Sequence, residues 1–577
     1  MRYDSRSPPG QTYVLDQILT ATTMLAGDSA ELRKARGAFF TPPRLARYVA
    51  DWAVRSPDDL VLEPSCGEAA FLIAAGDRLD ELRTKTGHLL SSGRLVGSEL
   101  HEASAAHALK LVAERGHDAE VSVGDFLDHE PTPVFDAAIG NPPYVRYQSF
   151  SGSARIRARE AALAAGVALT GLASSWAAFT VHAAMFLKPG GRLGLVLPAE
   201  LLTVNYASEV RGFLMRKFGR VRLVLFAERV FPGVLEEVVL LLADGKGPTD
   251  HCELYQVRDI DALENHVGVS TAWKPRPAEA KWTAGLIPRA AFEIYDAVTN
   301  RKGFSDLQAW GETTLGMVSG NNGYFALSVQ RTRELGLKER ELIRLSPPGS
   351  RHLRGLSFTE SAWHEMADDD ASVYLFRPSD EPSAAAARYI AAGEASGVNG
   401  AYKCRVRKPW WRVPLVPPAD VFLTYMNADT PRLSANRAGI HHLNSVHGVY
   451  LNRSVRALGM DLLPVASLNT VTLLGAETVG RSYGGGILKL EPKEADHLPM
   501  PTAELVSECA KQLRDLRPQL AVALRNGRLL EAVAMVDRVL LTGSLGLKRK
   551  QIRAMEEAVA SMAARRASRG AEPNVAN

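Results

Sequence analysis

The segment FDAAIGNPPYVRYQSF, residues 135–150, sets an apolar run directly against Asn141, Pro142, Pro143 and Tyr144. Two prolines remove backbone donors and fix φ, so the run can continue neither as an inner strand nor as a helix interior. Its last residues are held in set directions instead. Three other apolar runs stop in comparable polar clusters: Glu63-Pro64-Ser65-Cys66-Gly67, Gly97-Ser98-Glu99 and Gly124-Asp125-Phe126. In an open α/β sheet ligands gather at the carboxyl ends of the strands, so these four clusters are the candidate site. Glu99, after the second strand, has the place of a carboxylate that accepts both hydroxyls of a ribose. Asp125 can accept an amino proton from an adenine while Phe126 stacks on its face. The first turn lacks GxGxxG, and Glu63 would repel a pyrophosphate, which disfavours a dinucleotide. A nucleoside carrying an amino acid and a positive charge fits, and S-adenosylmethionine is that ligand. Taken singly, a strand-terminal Glu or Asp is most often a helix N-cap and Cys66 a small packed residue. Order and spacing together point to a pocket.

Such a pocket needs a sheet to carry it. Residues 11–35 read as a helix, with Val14, Ile18 and Leu25 on one face, and a second helix is entered through Pro42-Pro43. Short apolar segments at Leu60–Leu62, RLVGSEL, VSVGDFL, FDAAIGN and GRLGLVLP then alternate with helix-like stretches such as HEASAAHALKLVAERG. Alternation of this kind predicts a largely parallel sheet covered by helices, an α/β Rossmann-like domain. RLVLFAERVFPGVLEEVVLLLADG closes it with two β-rich runs that read as an antiparallel end. The predicted divisions are an N-terminal helical segment 1–36, a catalytic domain 37–245, a linker 246–310, a mixed α+β domain 311–502, and a helical segment 503–577 with a frayed tail.

The chain has 577 residues, too many for one compact core. Its 46% hydrophobic and 23% charged residues are ordinary for a globular protein, and no run approaches the length of a membrane span. The N-terminus lacks a signal-peptide core, so a cytoplasmic protein without a membrane partner is expected. Cys66, Cys252, Cys404 and Cys509 are far apart, which suggests reduced thiols and neither zinc nor disulfides. A net charge of +4 permits nucleic-acid binding without requiring it.

GAFFTPP, LEPSCGEAAFL, GSELHE, GDFLD and NPPY, in that order, resemble the motifs of gamma-class N6-adenine DNA methyltransferases of the TaqI type. The resemblance runs on through FLKPGGRLGLVLPAELL and ERVFPGVLEEVVLLL. It implies that Thr41, Glu63, Pro64, Ser65, Cys66, Glu99, Asp125, Phe126 and Pro143 surround S-adenosylmethionine, with Phe179 a weaker candidate. The types in NPPY suit that chemistry. The N6 lone pair of adenine is delocalised, and acceptors aimed at its hydrogens favour the pyramidal form that attacks a methyl group. The side-chain oxygen of Asn141 and the carbonyl of Pro142 would be those acceptors. The base must leave the duplex and be held by stacking. The resemblance gives one face to Tyr144 and the other to Phe231, which without it reads as a hydrophobic plug before a Pro-Gly turn.

Asn-Pro-Pro-Tyr also occurs in methyltransferases acting on glutamine or RNA, so the second half bears on the substrate. AYKCRVRKPWWRVPL carries Lys403, Arg405, Arg407, Lys408 and Arg412 among Tyr402, Trp410 and Trp411 with no acid. Phosphates and guanine edges would be met by such cations; a solvated loop anchored by two core tryptophans is the plainer alternative. ANRAGIHHLNSVHGVYLN adds Asn436, Arg437, His441, His442 and Asn444, read as polar contacts to a partner rather than metal ligands. LGMVSGNNGYFAL and RSYGGGILKLEPKEADHLPMP resemble the opening and closing of target-recognition domains in the same family, with Gly484–Gly486 allowing close approach or a tight turn. The expectation is a monomeric, sequence-specific adenine-N6 methyltransferase of double-stranded DNA, partnered by a separately encoded restriction endonuclease. An RNA N6-adenine methyltransferase, a silent DNA-binding protein on this fold, and N4-cytosine transfer are the rivals.

Overall fold

The computed structural model describes residues 41–87, 93–147, 152–226, 230, 237–263, 271–275, 280–300, 303–483 and 486–570. The helix expected over 11–35, residues 37–40 of GAFFTPP, Phe231 with its Pro-Gly turn, Gln148 and Gly484-Gly485 lie outside them. The chain divides into two compact units, Met1–Ala280 and Lys281–Asn577.

The first unit is built on nine strands among the described residues: β1 Leu60–Glu63, β2 Arg94–Glu99, β3 Ala119–Val123, β4 Phe135–Gly140, β5 Leu187–Pro198, β6 Arg220–Phe226, β7 Val238–Asp244, β8 Cys252–Val257 and β9 Thr271–Trp273. Their order is β3-β2-β1-β4-β5-β7-β6-β8-β9. β3 to β5 pair in parallel, and β7 runs antiparallel between β5 and β6. Leu193, Leu195, Val196 and Leu197 of β5 are all buried, as expected of an inner strand covered on both faces. The longer helices among the described residues of this unit are α1 Pro43–Ala53, α2 Ala70–Thr86, α3 Glu102–Glu114, α4 Gly152–Ala164, α5 Ser175–Met185 and α6 Ser208–Lys217. Pro43 opens α1, where a missing amide costs nothing. Its buried face, Leu45, Ala46, Val49, Ala50 and Ala53, lies so close to β5 that a Cβ at Gly194 would meet the Val49 methyl at 2.7 Å. The strand order reverses between β1 and β4, the switch point at which such sheets bind ligands.

The stretch expected as a linker is partly sheet. β8 pairs in parallel with β6 over Val221–Phe226 and Cys252–Val257, and β9 pairs with β8. Alternation alone does not reveal a strand whose partner lies across a polar turn.

The second unit holds a five-stranded sheet in the order Gly311–Leu315, Val446–Leu451, Val421–Thr424, Leu433–Asn436, Ser357–Phe358. Phe304–Asp306, inside the stretch expected as a linker, pairs with Pro499–Pro501 near the end of the expected mixed α+β domain. The C-terminal helices belong to the same unit: Thr470–Val479 packs on Arg549–Gly570, and the buried Arg566 guanidinium bridges both oxygens of Glu477 at 2.9 and 3.1 Å. Arg566 also donates to the carbonyls of Asp429 and Gly486. No single helix among the described residues is long and apolar enough to cross a membrane; the bent pair Arg456–Ala466 and Thr470–Val479 is apolar but largely buried.

Candidate active site

Glu63 closes β1 and turns toward the start of α2, where Oε2 accepts the Leu72 amide at 3.0 Å. Ala69, at the N-cap, has no side-chain acceptor and adopts the left-handed φ of 60° that L-residues avoid. Glu63 supplies the missing cap from a distance. It is 2% exposed, and burial pushes its carboxyl well above the usual range; the Leu72 amide offsets part of this and the Glu99 charge adds to it. A cation beside it would reverse that penalty. Cys66 fills the notch next to β2, where a Cβ at Gly97 would lie 2.2 Å from its Sγ. Burial, then the charges of Glu63 and Glu99, drive its thiol upward, so it is packed and not nucleophilic.

Glu99 staples three strand-end loops. Oε2 accepts the Gly67 amide at 3.0 Å and Oε1 the His101 amide at 3.2 Å, while its own carbonyl accepts from Gly124 at 2.9 Å. Each carboxylate oxygen keeps a lone pair for a further donor. Leu100, beside it, is 59% exposed. Asp125 Oδ1 accepts the Leu127 amide at 3.1 Å, and Oδ2 is held by Arg157 of α4 at 3.0 Å, which also reaches Asp128 at 3.1 Å. Phe126 is not an open face. It is buried among Phe179, Phe186 and His182, at centroid distances of 5.8, 5.1 and 5.0 Å, and borders a cavity of about 300 Å³ that also touches Leu62, Val96, Ser98 and Ser122. None of Glu63, Glu99, Asp125 or Asn141 lines that cavity.

At the end of β4, Asn141 donates from Nδ2 to Thr41 Oγ1 at 3.2 Å, and Oδ1 accepts the Tyr144 hydroxyl at 2.6 Å. The same hydroxyl lies 3.0 Å from the Val196 carbonyl of β5. Tyr144 is 8% exposed, so in this conformation it orients the amide as well as packing. Among the described residues no donor reaches the Pro142 carbonyl. Ser175, at the start of α5, clamps the turn: its hydroxyl donates to the Pro143 carbonyl and accepts the Val145 amide at 2.9 Å. A Cβ at Gly140 would lie 3.5 Å from Pro64 Cδ and 3.7 Å from Glu63 Cγ, so the β1 and β4 ends touch. Pro64 and Ser65 lie in the turn between β1 and α2. Arg157, Ser175 and Leu100 were not singled out by sequence pattern. Leu100 alone carried a signal, an apolar residue between Glu99 and His101.

In the second unit the six candidate cations separate. Lys403, Arg405 and Lys408 are exposed. Arg407 turns inward, donating to the carbonyls of Ser319 and Lys403; Arg412 pairs with Asp380 at 2.8 Å; Arg437 donates to the Met460 carbonyl at 3.0 Å and lies 3.7 Å from Asp461. Trp410 and Trp411 pack on the core cluster around Tyr324 and Phe325, the anchoring role given as the plainer alternative. Two residues of the histidine stretch expected to contact a partner, Asn436 and His441, make internal hydrogen bonds. Asn436 is buried and holds the Ala419 and Ile440 carbonyls at 2.8 and 2.9 Å, and His441 meets the Val416 carbonyl at 2.8 Å. His442 is fully buried, and desolvation lowers its pKa to about 4, which keeps the ring neutral.

Residues 23–268 match the N-6 DNA Methylase family model, and residues 279–541 match the model of the Type II methyltransferase M.Eco57I C-terminal domain. The chain is 23% identical over 476 residues to the Type II methyltransferase M.AccI of Acinetobacter calcoaceticus, covering 81% of this chain and 85% of that protein. It is 25% identical over 482 residues to M.XamI of Xanthomonas campestris pv. amaranthicola, with the same coverage. Among solved structures, the Type IIL restriction-modification enzyme MmeI in complex with DNA shares the fold, with a TM-score of 0.53 at 13% identity over 93% of this chain and 80% of that one.

Proposed function

We propose, from the matches of residues 23–268 to the N-6 DNA Methylase model and of residues 279–541 to the Type II methyltransferase M.Eco57I C-terminal domain model, that this chain is the modification enzyme of a restriction-modification system, methylating N6 of adenine in duplex DNA. The gamma-class order of its motifs supports the base assignment. S-adenosylmethionine is the donor this reading requires. The residues fit it: Glu63 and Glu99 are buried carboxyl groups suited to cationic and hydroxyl groups, the cation favouring the charged form that burial alone opposes, and Leu100 is an uncovered apolar side chain next to Glu99. Glu63, Pro64, Ser65, Glu99 and Asp125, with Thr41 and Pro143, would hold it, with the buried Cys66 and Phe126 packed behind them. When bound it supplies an electrophilic methyl group.

The observation that carries the reading is the Thr41–Asn141–Tyr144 chain of hydrogen bonds. Thr41 takes one amide proton of Asn141, which fixes which atom of the amide faces outward. Tyr144 then uses one lone pair of Oδ1 and leaves the second for an amino hydrogen. The Pro142 carbonyl, without a donor among the described residues, is the second acceptor. Two acceptors in fixed positions favour the pyramidal amine, the geometry of attack rather than of the planar ground state. The methylated nitrogen, once positive, is acidic enough to lose its proton to water. No enzyme nucleophile is needed, in keeping with the buried Cys66. Duplex DNA, with a separate endonuclease acting on the unmodified site, completes the proposal.

The test is to incubate the purified chain with duplex DNA and the labelled donor, digest to nucleosides and separate them. N6-methyladenine is expected; N4-methylcytosine, or label in structured RNA but not in DNA, would replace this reading.

A further inference from the structure

The basic run at 401–412 does not act as one charged surface. Cys404 and Arg407, one helical turn apart, point inward: Cys404 is fully buried with Sγ 3.8 Å from the Ser319 carbonyl, and the Arg407 guanidinium lies 5.7 Å from the Phe325 ring centre. Gly320 makes this seat possible. A Cβ there would lie 3.0 Å from both Arg407 Nη2 and Cys404 Sγ, and its φ of +91° suits glycine. Two inward residues therefore bolt the short helix Tyr402–Arg405 to the core around Tyr324 and Phe325.

What the bolt presents is unusual. Tyr402 is 65% exposed and Val406 61% exposed. Lys403 Nζ and Arg405 Cζ stand 5.7 and 5.9 Å from the Tyr402 ring centre, and Lys408 follows on the same exposed stretch. None of the three cations has a carboxylate partner among the described residues, although Arg412, four residues beyond Lys408, has one. Leaving apolar surface and unpaired positive charge together in water suits a partner with phosphates beside apolar faces.

We infer that Tyr402, Lys403, Arg405, Val406 and Lys408 form a rigid duplex-DNA anchor, with the three cations on successive phosphates and Tyr402 with Val406 against the sugars and bases between them, while Arg407 and Arg412 serve the fold. The inference rests on the proposed DNA methyltransferase function and assigns the surface that function would use. Removing one cation that neutralises a phosphate should lower the slope of log affinity against log salt by about 0.9.

The experiment measures binding of the full chain to a fluorescent duplex containing its modified site across a salt series, with methyl transfer followed in parallel. Lys403→Ala, Arg405→Ala and Lys408→Ala together should flatten the slope by about 3. Tyr402→Ala should leave the slope unchanged and weaken binding about tenfold. Arg412→Ala should keep the wild-type slope and lower the melting temperature instead. If the wild-type chain binds and methylates the duplex but the triple variant keeps its slope, the anchor is wrong and the function stands. If the triple variant instead loses capture of an acidic protein while DNA binding is intact, the surface serves a protein and the inference is overturned. A wild-type chain that neither binds nor methylates duplex DNA overturns both.

Discussion

Tyr144→Phe would separate two jobs proposed for one side chain, orienting the Asn141 amide through its hydroxyl and stacking on the target base through its ring. The phenol donates its single proton, and the 2.6 Å contact to Asn141 Oδ1 makes that the stronger of its two bonds, the Val196 carbonyl lying at 3.0 Å. Removing the hydroxyl keeps the ring and its burial but frees the Asn141 amide to turn about the remaining Thr41 contact. A hydrogen bond of this kind contributes about 1–1.5 kcal/mol net. If that energy serves to hold the acceptor where the transition state needs it, the chemical step slows by about 5- to 13-fold. Stacking should survive, so affinity for the duplex and the fluorescence of a 2-aminopurine at the target position should stay at wild-type levels. Single-turnover methyl transfer at saturating donor and DNA reads the first quantity, and fluorescence titration the second. A wild-type rate in Tyr144→Phe would refute the orienting role of the hydroxyl. An absent fluorescence response with an intact rate would refute the division of labour altogether.

Asn141→Ala removes the acceptor itself and should abolish methyl transfer while duplex binding by anisotropy stays within a few-fold. Arg566→Ala leaves Glu477 buried without its counter-charge and should cost about 3–5 kcal/mol of local stability; limited proteolysis should then cut near the helix Arg549–Gly570 before any other part of the second unit. Asp537 is buried against the Thr470 amide and hydroxyl, at 2.9 and 2.6 Å, and burial raises its carboxyl from an ordinary 3.8 to about 6. The folded state therefore holds this proton more tightly than the unfolded chain, so the stability it confers is full below pH 4 and declines as pH rises to about 6. Asp537→Asn should remove that decline, and its stability relative to wild type in urea melts should grow by up to about 3 kcal/mol between pH 4 and pH 7.

The parallel order of strands and the four strand-end clusters were legible because each depends on short-range pattern: an apolar run, then Pro, Gly or an acid. The role of each acid was less so. Glu63 could be read as a ligand group or as a helix cap, and it does cap α2, because Ala69 at the N-cap has no oxygen of its own. That fact depends on a backbone conformation invisible in composition. The cations show the same limit. Arg405 and Arg407 are two residues apart and look alike, yet a buried Cys404 and a close Gly320 decide that only one faces out. Asn436 and His442, polar and clustered, are consumed by the core of the second sheet, whose pairings join residues far apart in the chain. β8 was missed for that reason too, its partner β6 lying beyond a polar turn and an intervening strand.

The Glu99 carboxylate ties the loops after β1 and β2, and its carbonyl ties the loop after β3, all three through bonds internal to the chain. If the proposed donor binds at these three strand ends, it would meet a surface already held by internal bonds, with little conformational entropy left to lose. In a calorimeter, binding at this end should be dominated by enthalpy and by the heat-capacity signature of apolar burial, with only a small ordering term. Glu99→Gln, which retains one acceptor oxygen, would loosen the Gly67 or the His101 amide and should shift that balance toward unfavourable entropy before it changes the shape of the pocket.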